Sequence, residues 1–262
     1  MITLNTTIWD GDFDQVLDEK SWFLNYQNDL VKEKLITVNN VKKENLARLQ
    51  EKIKNAQTKH KIRVIFVDDV KEEAKKFFNL KIDESTLGYY YTIQYFVFIL
   101  KCSEPYVFNV SADCDVFFEN DYFVESIKAL KADEKAVATT LSWNQDMNVG
   151  LHEQNEMFKK FGYKKPELEN FYYSVGFSDQ VFFADIAKLK NVDFNIQNKE
   201  ASQFPKYGGE CFEKRLCSYF LAHHSYRLIY KKYYYVHNIP KTPKLYKRIF
   251  NKMKKILSQV KQ

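Results

Sequence analysis

The sequence predicts an α/β fold with a mostly parallel central sheet flanked by helices. Three observations carry this expectation. The first half alternates short β-branched or aromatic runs with amphipathic segments of helical period, the pattern of right-handed βαβ units. The strand-like runs are apolar throughout, as strands covered on both faces are. Polar residues finish each of them, which places those residues on one edge of the sheet.

In chain order, "ITLNTTIW" (2–9) reads as the first strand, and residues 12–31 as a helix with Phe13, Val16, Leu17, Phe23, Leu24 and Leu30 among charges. "KLITVNN" (34–40) is the second strand, followed by a helix over 42–57 with Leu46, Leu49 and Ile53 on one side. "KIRVIFVDD" (61–69) is the third strand, and "VKEEAKKFFNL" a short helix after it. An aromatic helix over 87–101 leads into a fourth strand, "PYVFNVSA" (105–112). The second half is less regular: a strand at 135–143, loop or short helix over 144–170, and "YYSVGFSDQVFFADIAKL" as strand, turn, then strand or helix start. A Gly-Gly turn, a helix from about 211 and a Tyr-rich strand close it. No repeat or low-complexity linker interrupts the chain before residue 240.

Composition narrows the function classes. The chain has 262 residues, 45% hydrophobic and 28% charged, ordinary for a globular protein with a sizeable core. Only seven glycines are present, none arranged as GxGxxG or GxxxxGK[ST], so neither common phosphate-cradling loop is available. The N-terminus lacks the basic and apolar regions of a signal peptide, and "YYYTIQYFVFIL" is too short to cross a bilayer as a helix. The four cysteines form no CxxC, which suggests neither zinc nor a disulfide framework and makes a reduced, cytoplasmic setting the expectation. The net charge is +6, but residues 240–262 hold eight Lys or Arg and no acid, leaving 6 − 8 = −2 on the rest. The body therefore gives no electrostatic argument for nucleic acid.

The rim beyond the strand ends holds Thr6 to Trp9, Asn39, Asp68 and Asp113 to Asp115. Asp68 is a nucleotide-side candidate by that position. In "NVSADCDVFF", Asp113 and Asp115 flank one residue. Residues i and i+2 of an extended segment point the same way, so both carboxylates could reach one Mg²⁺ or Mn²⁺ whose other positions take diphosphate oxygens and water. A capped strand end is the plainer alternative. Dehalogenase-type phosphatases place such a motif after the first strand, and polymerase-type nucleotidyltransferases precede theirs with a Gly-Ser loop; neither context is present.

This layout resembles the GT-A (Rossmann-like) fold of nucleotide-sugar glycosyltransferases, nearest to bacterial enzymes that build surface polysaccharide. The resemblance covers roughly residues 1–238 and rests on element order and on "SADCDVFF" after the fourth strand. It implies a catalytic domain over 1–239, with a nucleotide-sugar half (1–118) and an acceptor half (119–239). It implies that Asp113 and Asp115 hold Mn²⁺ or Mg²⁺ against the donor's diphosphate, with Asp113 also on the nucleotide side. Thr6, Trp9 and Asn39 match the places where the base packs. "YGGECFEKRL" matches the segment that supplies a carboxylate base in inverting members, with Glu210 and Glu213 both candidates. "YYYVHN" puts His237 where an additional metal ligand or diphosphate contact stands. "FSDQVFFAD" resembles an acceptor-side segment, with Asp179 as a hydroxyl contact. The aromatic second half would line the acceptor groove.

The implied activity is transfer of a sugar from a nucleotide-diphosphate sugar to a hydroxyl of a glycan or lipid-linked glycan. The alternatives are a sugar-nucleotide nucleotidyltransferase and a non-catalytic nucleotide- or glycan-binding protein of the same fold. In the tail, "KLYKRIFNKMKKILSQVK" (244–261) places Leu245, Tyr246, Ile249, Phe250, Met253, Ile256, Leu257 and Val260 in an arc of roughly 140° at about 100° per residue. Seven cations lie outside that arc, as in a helix resting on an anionic membrane surface. The expectation is a cytoplasmic enzyme, peripheral at the inner membrane face.

Overall fold

The structure is a computed structural model describing residues 1–10, 12–18, 21–55, 59–144, 146, 148–163, 168–201 and 211–238. Its elements run β1 (Ile2–Ile8), α1 (Phe13–Val16), α2 (Trp22–Asn25), β2 (Val31–Val38), α3 (Lys43–Asn55), β3 (Lys61–Phe66), α4 (Val67–Phe77), α5 (Leu87–Lys101), β4 (Tyr106–Val110) and β5 (Cys114–Phe117). They continue α6 (Asp121–Ala132), β6 (Ala136–Trp143), α7 (Val149–Phe161), β7 (Phe171–Ser174), β8 (Val181–Asp185), α8 (Ile186–Lys190), a 3₁₀ turn (Lys199–Ala201), α9 (Phe212–His223) and β9 (Tyr226–His237). The strands form one sheet in the order β3-β2-β1-β4-β8-β6-β9-β5, with β7 also paired to β9. The expected parallel arrangement holds through β3, β2, β1 and β4 and for β6 beside β9. β8, β5 and β7 join antiparallel.

Two adjacent phenylalanines show how the sheet is covered. On β8, Phe182 meets Tyr95, Phe98 and Phe212 of α5 and α9, while Phe183 meets Tyr122 and Phe123 of α6. Successive strand residues point to opposite faces, so α5 and α9 lie on one face and α6 on the other. Trp22 of α2 joins the α6 face through Phe108 and Phe118. One apolar core runs through both layers.

Residues 12–31 do not form the single helix their periodicity suggests. Ser21 breaks it: its hydroxyl donates to the Val16 carbonyl (2.6 Å) and accepts from the Leu24 amide (3.2 Å), capping the short α2. β2 then begins at Val31, ahead of residue 34, because its polar members are paired. Glu33 accepts from Thr3 and Ser103 and forms an ion pair with Arg63 at 2.7 Å. Lys34 is fully buried, with Nζ on the Leu24 carbonyl at 2.6 Å.

β3 stops at Phe66, so Asp68 and Asp69 do not finish a strand. They open α4, where the unsatisfied amides of a first helical turn favour acids. The stretch 144–170, expected to be loop or short helix, contains the 13-residue α7, stopped by Gly162 at φ 67°. The basic tail lies outside the described residues.

β9 has a joint. After a first shift between Ala136 and Ala138 it pairs with β6 in register from Ala138↔Arg227 to Leu141↔Tyr230, and the next pair is Ser142↔Tyr234. Residues 231–233 are therefore extra on the β9 side. The Tyr233 hydroxyl fixes the bulge between the Glu119 and Asp121 carboxylates, at 3.0 and 2.7 Å.

Candidate active site

The Asp113–Asp115 motif sits where β5 meets the end of β9. Asp113 lies in a turn closed by the Cys114 amide on the Ser111 carbonyl (3.0 Å). Strand alternation is therefore not what associates the two carboxylates; the end of β9 is. His237 Nε2 lies 2.8 Å from Asp113 Oδ2, and Asn238 donates its side-chain amide to Asp115 Oδ2 (2.6 Å) and its backbone N–H to the Asp113 carbonyl (2.8 Å). The hydrogen bond to Asp113 holds His237 above its ordinary pKa. Cys114 points into the core, where burial and then the Asp113 charge push its thiol far up. It fills space and stays protonated.

On its other ring nitrogen, His237 Nδ1 lies 2.8 Å from the Gln180 side-chain amide. Gln180 in turn lines a cavity of about 560 Å³. The cavity is bounded by the end of β6, by α7, by the β7–β8 connection, by α9 and by β9, and its lining includes Glu213, Arg227, Trp143, Phe177 and Tyr235. A single hydrogen-bonded path thus joins the carboxylate motif to the wall of a small-ligand-sized pocket.

Glu213 stands in the first turn of α9 and forms part of that wall. Its Oε1 accepts the Asp179 amide at 3.0 Å, and the two carboxyl groups also hydrogen-bond to each other. Burial, then the charge of Asp179, pushes Glu213 well above the carboxylate range. Burial likewise raises Asp179 to about 6, against hydrogen bonds from Tyr95 and Glu213. Two carboxyls this close retain a proton between them. Burial, then the Asp179 and Glu213 charges, keeps the Tyr95 phenol protonated to donate.

A polar layer under α5 holds this pair in place. Thr37 donates to Asn5 Oδ1 (3.0 Å), Asn5 donates to Asn109 Oδ1 (2.7 Å), and Asn109 donates to the Asp179 carbonyl (2.9 Å). All three are buried and their groups satisfied by one another. Opposite, Arg227 donates from Nη2 to Glu153 Oε2 at 2.8 Å. Burial opposes ionisation of Glu153, but Arg227 and Ser174 outweigh it and hold its pKa below the ordinary value.

The remaining sequence candidates fall in three places. Trp9 follows β1, its ring 5.5 Å from that of Tyr91 and its backbone N–H donating to the Asp12 carboxylate (3.1 Å). Asn39 follows β2 and spends both amide hydrogens on α5, at the Tyr90 carbonyl and Gln94 Oε1. Thr6 is buried in β1, paired with Ile36. Asp68 is exposed and paired with Lys71 at 2.7 Å, so its carboxylate serves the surface of α4. Glu210 lies outside the described residues.

Sequence reasoning did not single out Gln180, Tyr95, Arg227, Glu153 or Asp12. Asp12 lies close enough to Asp113 that burial first, and the Asp113 charge next, raise its pKa. Gln180 had a signal, as the polar neighbour of Asp179 ahead of an apolar strand; Arg227 had one too, as a lone charge in "YRLIY". Tyr95 had none among the aromatics of α5.

Among the described residues, no group of three or more His, Cys, Asp or Glu stands ready to hold a metal ion. The donor set still suits a divalent cation. Asp113 and His237 are already in contact, while Asp115, paired with Val236 one position before His237, leaves β5 on the opposite face and is tied in through Asn238. Carboxylate oxygens suit Mn²⁺ or Mg²⁺, and the one nearby thiol is withheld.

No protein-family model and no curated protein matches the chain. Solved structures do, and they define the fold as that of the GT-A glycosyltransferases. Mouse xyloside xylosyltransferase 1, in its apo form, is similar with a TM-score of 0.51 at 10% identity, over 86% of this chain and 83% of that one. The mannosyltransferase PcManGT from Pyrobaculum calidifontis, in complex with GDP-Man and Mn²⁺, gives a TM-score of 0.47 at 10% identity over 92% of this chain and 58% of that one. The galactosyltransferase LgtC, with donor and acceptor sugar analogs, gives 0.43 at 11% over 82% and 68%. At these identities the likeness is one of fold.

Proposed function

We propose that this protein is a metal-dependent glycosyltransferase that moves a sugar from a nucleotide-diphosphate sugar to a hydroxyl of a glycan or lipid-linked glycan. The observation that carries the reading is the path Asp113–His237–Gln180, which links the acidic motif to a cavity walled by Glu213. Asp113, Asp115 and His237 would hold Mn²⁺ or Mg²⁺. A cation bound there neutralises the charge that gathers on the departing nucleoside diphosphate.

The chain's own residues divide the remaining work. The nucleotide lies over the ends of β1 and β2, with Trp9 as its aromatic contact. The acceptor occupies the cavity. As its hydroxyl oxygen bonds to the anomeric carbon, the bond to the diphosphate oxygen breaks and the hydroxyl proton passes to the Glu213–Asp179 pair, Glu213 accepting it as the proton the pair already holds moves onto Asp179. Burial and Asp179 make the Glu213 carboxylate a stronger base than an exposed one. Asp179 positions Glu213, and Tyr95 and Asn109 position Asp179. The basic segment 244–261 holds the enzyme at an anionic membrane surface; among the described residues no helix is long and apolar enough to cross one.

The test is a thermal-shift panel of UDP, GDP, CMP and dTDP, each with and without Mn²⁺, on the wild type and Asp115→Ala. A ligand at about 100 times its Kd adds roughly 2.7 kcal/mol. The expected result is stabilisation by one nucleotide that requires the cation and disappears in the variant. No cation-dependent shift with any nucleotide would refute the proposal.

A further inference from the structure

The charges that line the cavity are largely matched among themselves. Arg227 is buried and committed to Glu153 at 2.8 Å, and Lys160 is committed to Glu200 at 3.0 Å. Two more carboxyls, Glu156 and Glu213, complete the charged part of the described lining. Four acids thus face two bases, and each base is already held.

A phosphate or carboxylate on a ligand only accepts hydrogen bonds. Here it would find only the Arg227 N–H that Glu153 leaves free, and would sit among four acids against two bases that are each already ion-paired, so its charge would be desolvated with little to offset it. A sugar hydroxyl donates and accepts at once. It can give its proton to Glu153 and accept from the Arg227 guanidinium, whose Nε is buried with no partner among the described residues. Phe161, Phe177 and Met157 supply apolar walls for the C–H faces of a ring, and Trp143, 44% exposed, offers its own ring as a platform.

We infer that this cavity takes an uncharged or amine-bearing sugar through its hydroxyl groups and excludes phosphorylated and uronic sugars. The inference rests on the reading of the cavity as the acceptor site.

The experiment is ligand-observed saturation-transfer NMR on the full chain, with methyl glucoside, glucosamine, glucose 6-phosphate and glucuronic acid in pairwise competition. Wild type is expected to prefer the neutral and amino sugars by roughly tenfold, the value of one charge-assisted hydrogen bond. Glu153→Gln frees Arg227 and should move the preference toward the anionic sugars by a similar factor. Glu156→Lys, on the exposed side of α7, should move it the same way without disturbing a buried pair. Preference of the wild type for glucose 6-phosphate or glucuronic acid, or an unchanged ratio in both variants, overturns the inference.

The nucleotide panel is read on the same samples. Nucleotide binding alongside a preference for anionic sugars removes the charge inference and leaves the transferase reading intact. The predicted sugar preference without nucleotide binding keeps the sugar selectivity and removes the transferase reading.

Discussion

Asp179→Asn should stabilise the protein near neutral pH, although it alters a group in the proposed catalytic machinery. Burial lifts the Asp179 carboxyl from its ordinary 3.8 to about 6. Between those values the native state keeps a proton that the unfolded chain has released. Stability therefore falls as pH rises through that window and stays low above it. At about 1.4 kcal/mol per pH unit, the loss is about 3 kcal/mol. Asparagine presents the same oxygen to Tyr95 and Glu213 without a charge to desolvate. The variant should equal the wild type near pH 4 and exceed it by up to about 3 kcal/mol above pH 6.5, or roughly 6–12 °C in Tm for a chain of this size. Urea unfolding across pH 4–8 measures the difference. A variant less stable than the wild type at every pH, or a difference that does not change with pH, would show that the Asp179–Glu213 pair is not charge-strained and would undercut the basicity argued for Glu213.

Three further outcomes follow from other parts of the molecule. Lys34→Met removes a fully buried amine whose pKa burial depresses to about 8. The native state sheds that proton before the unfolded chain does, so wild-type stability rises between about pH 8 and 10.5. The variant should be more stable by about 1–2 kcal/mol at pH 7, after allowing for the Leu24 carbonyl left unpaired, and should lose the advantage by pH 10.5 in the same unfolding assay. Gly150→Ala would bring a Cβ to 2.6 Å from Tyr172 Cδ2 and 3.2 Å from its Cβ. Prising α7 from β7 should cost about 1–3 kcal/mol, read as a lower urea midpoint at unchanged m. Replacing Lys247, Arg248, Lys254 and Lys255 with Gln should weaken co-sedimentation with anionic vesicles by roughly a thousandfold, at about 1 kcal/mol for each cation.

The sequence revealed what strand and helix periodicity encodes and hid what depends on pairing at a distance. β1 and β4 were legible because every residue in them is buried and the runs are apolar or carry only Thr and Asn. The start of β2 was hidden because Glu33, like Lys32 before it, looks like a surface residue until Arg63 is seen beside it. The acidic motif was visible from its spacing, yet its geometry was not. Asp113 is a turn residue whose partner is 124 positions away in sequence. Glu213 was named from its segment, but its coupling to Asp179 arises only when α9 packs against the β7–β8 connection. Glu153 stayed silent for the same reason, and the lone charge of Arg227 did not reveal its partner.

The joint at residues 231–233 divides β9 into two arms. One carries Arg227 in the cavity wall; the other carries His237 beside the acidic motif. A residue inserted within either arm would turn every side chain beyond it to the opposite face, and so would remove one functional group or the other. An insertion among Lys231, Lys232 and Tyr233 is absorbed where three residues already stand outside the ladder. The two ends of the site can therefore drift apart or together in the course of evolution, and a designer can respace them, without either end losing its register.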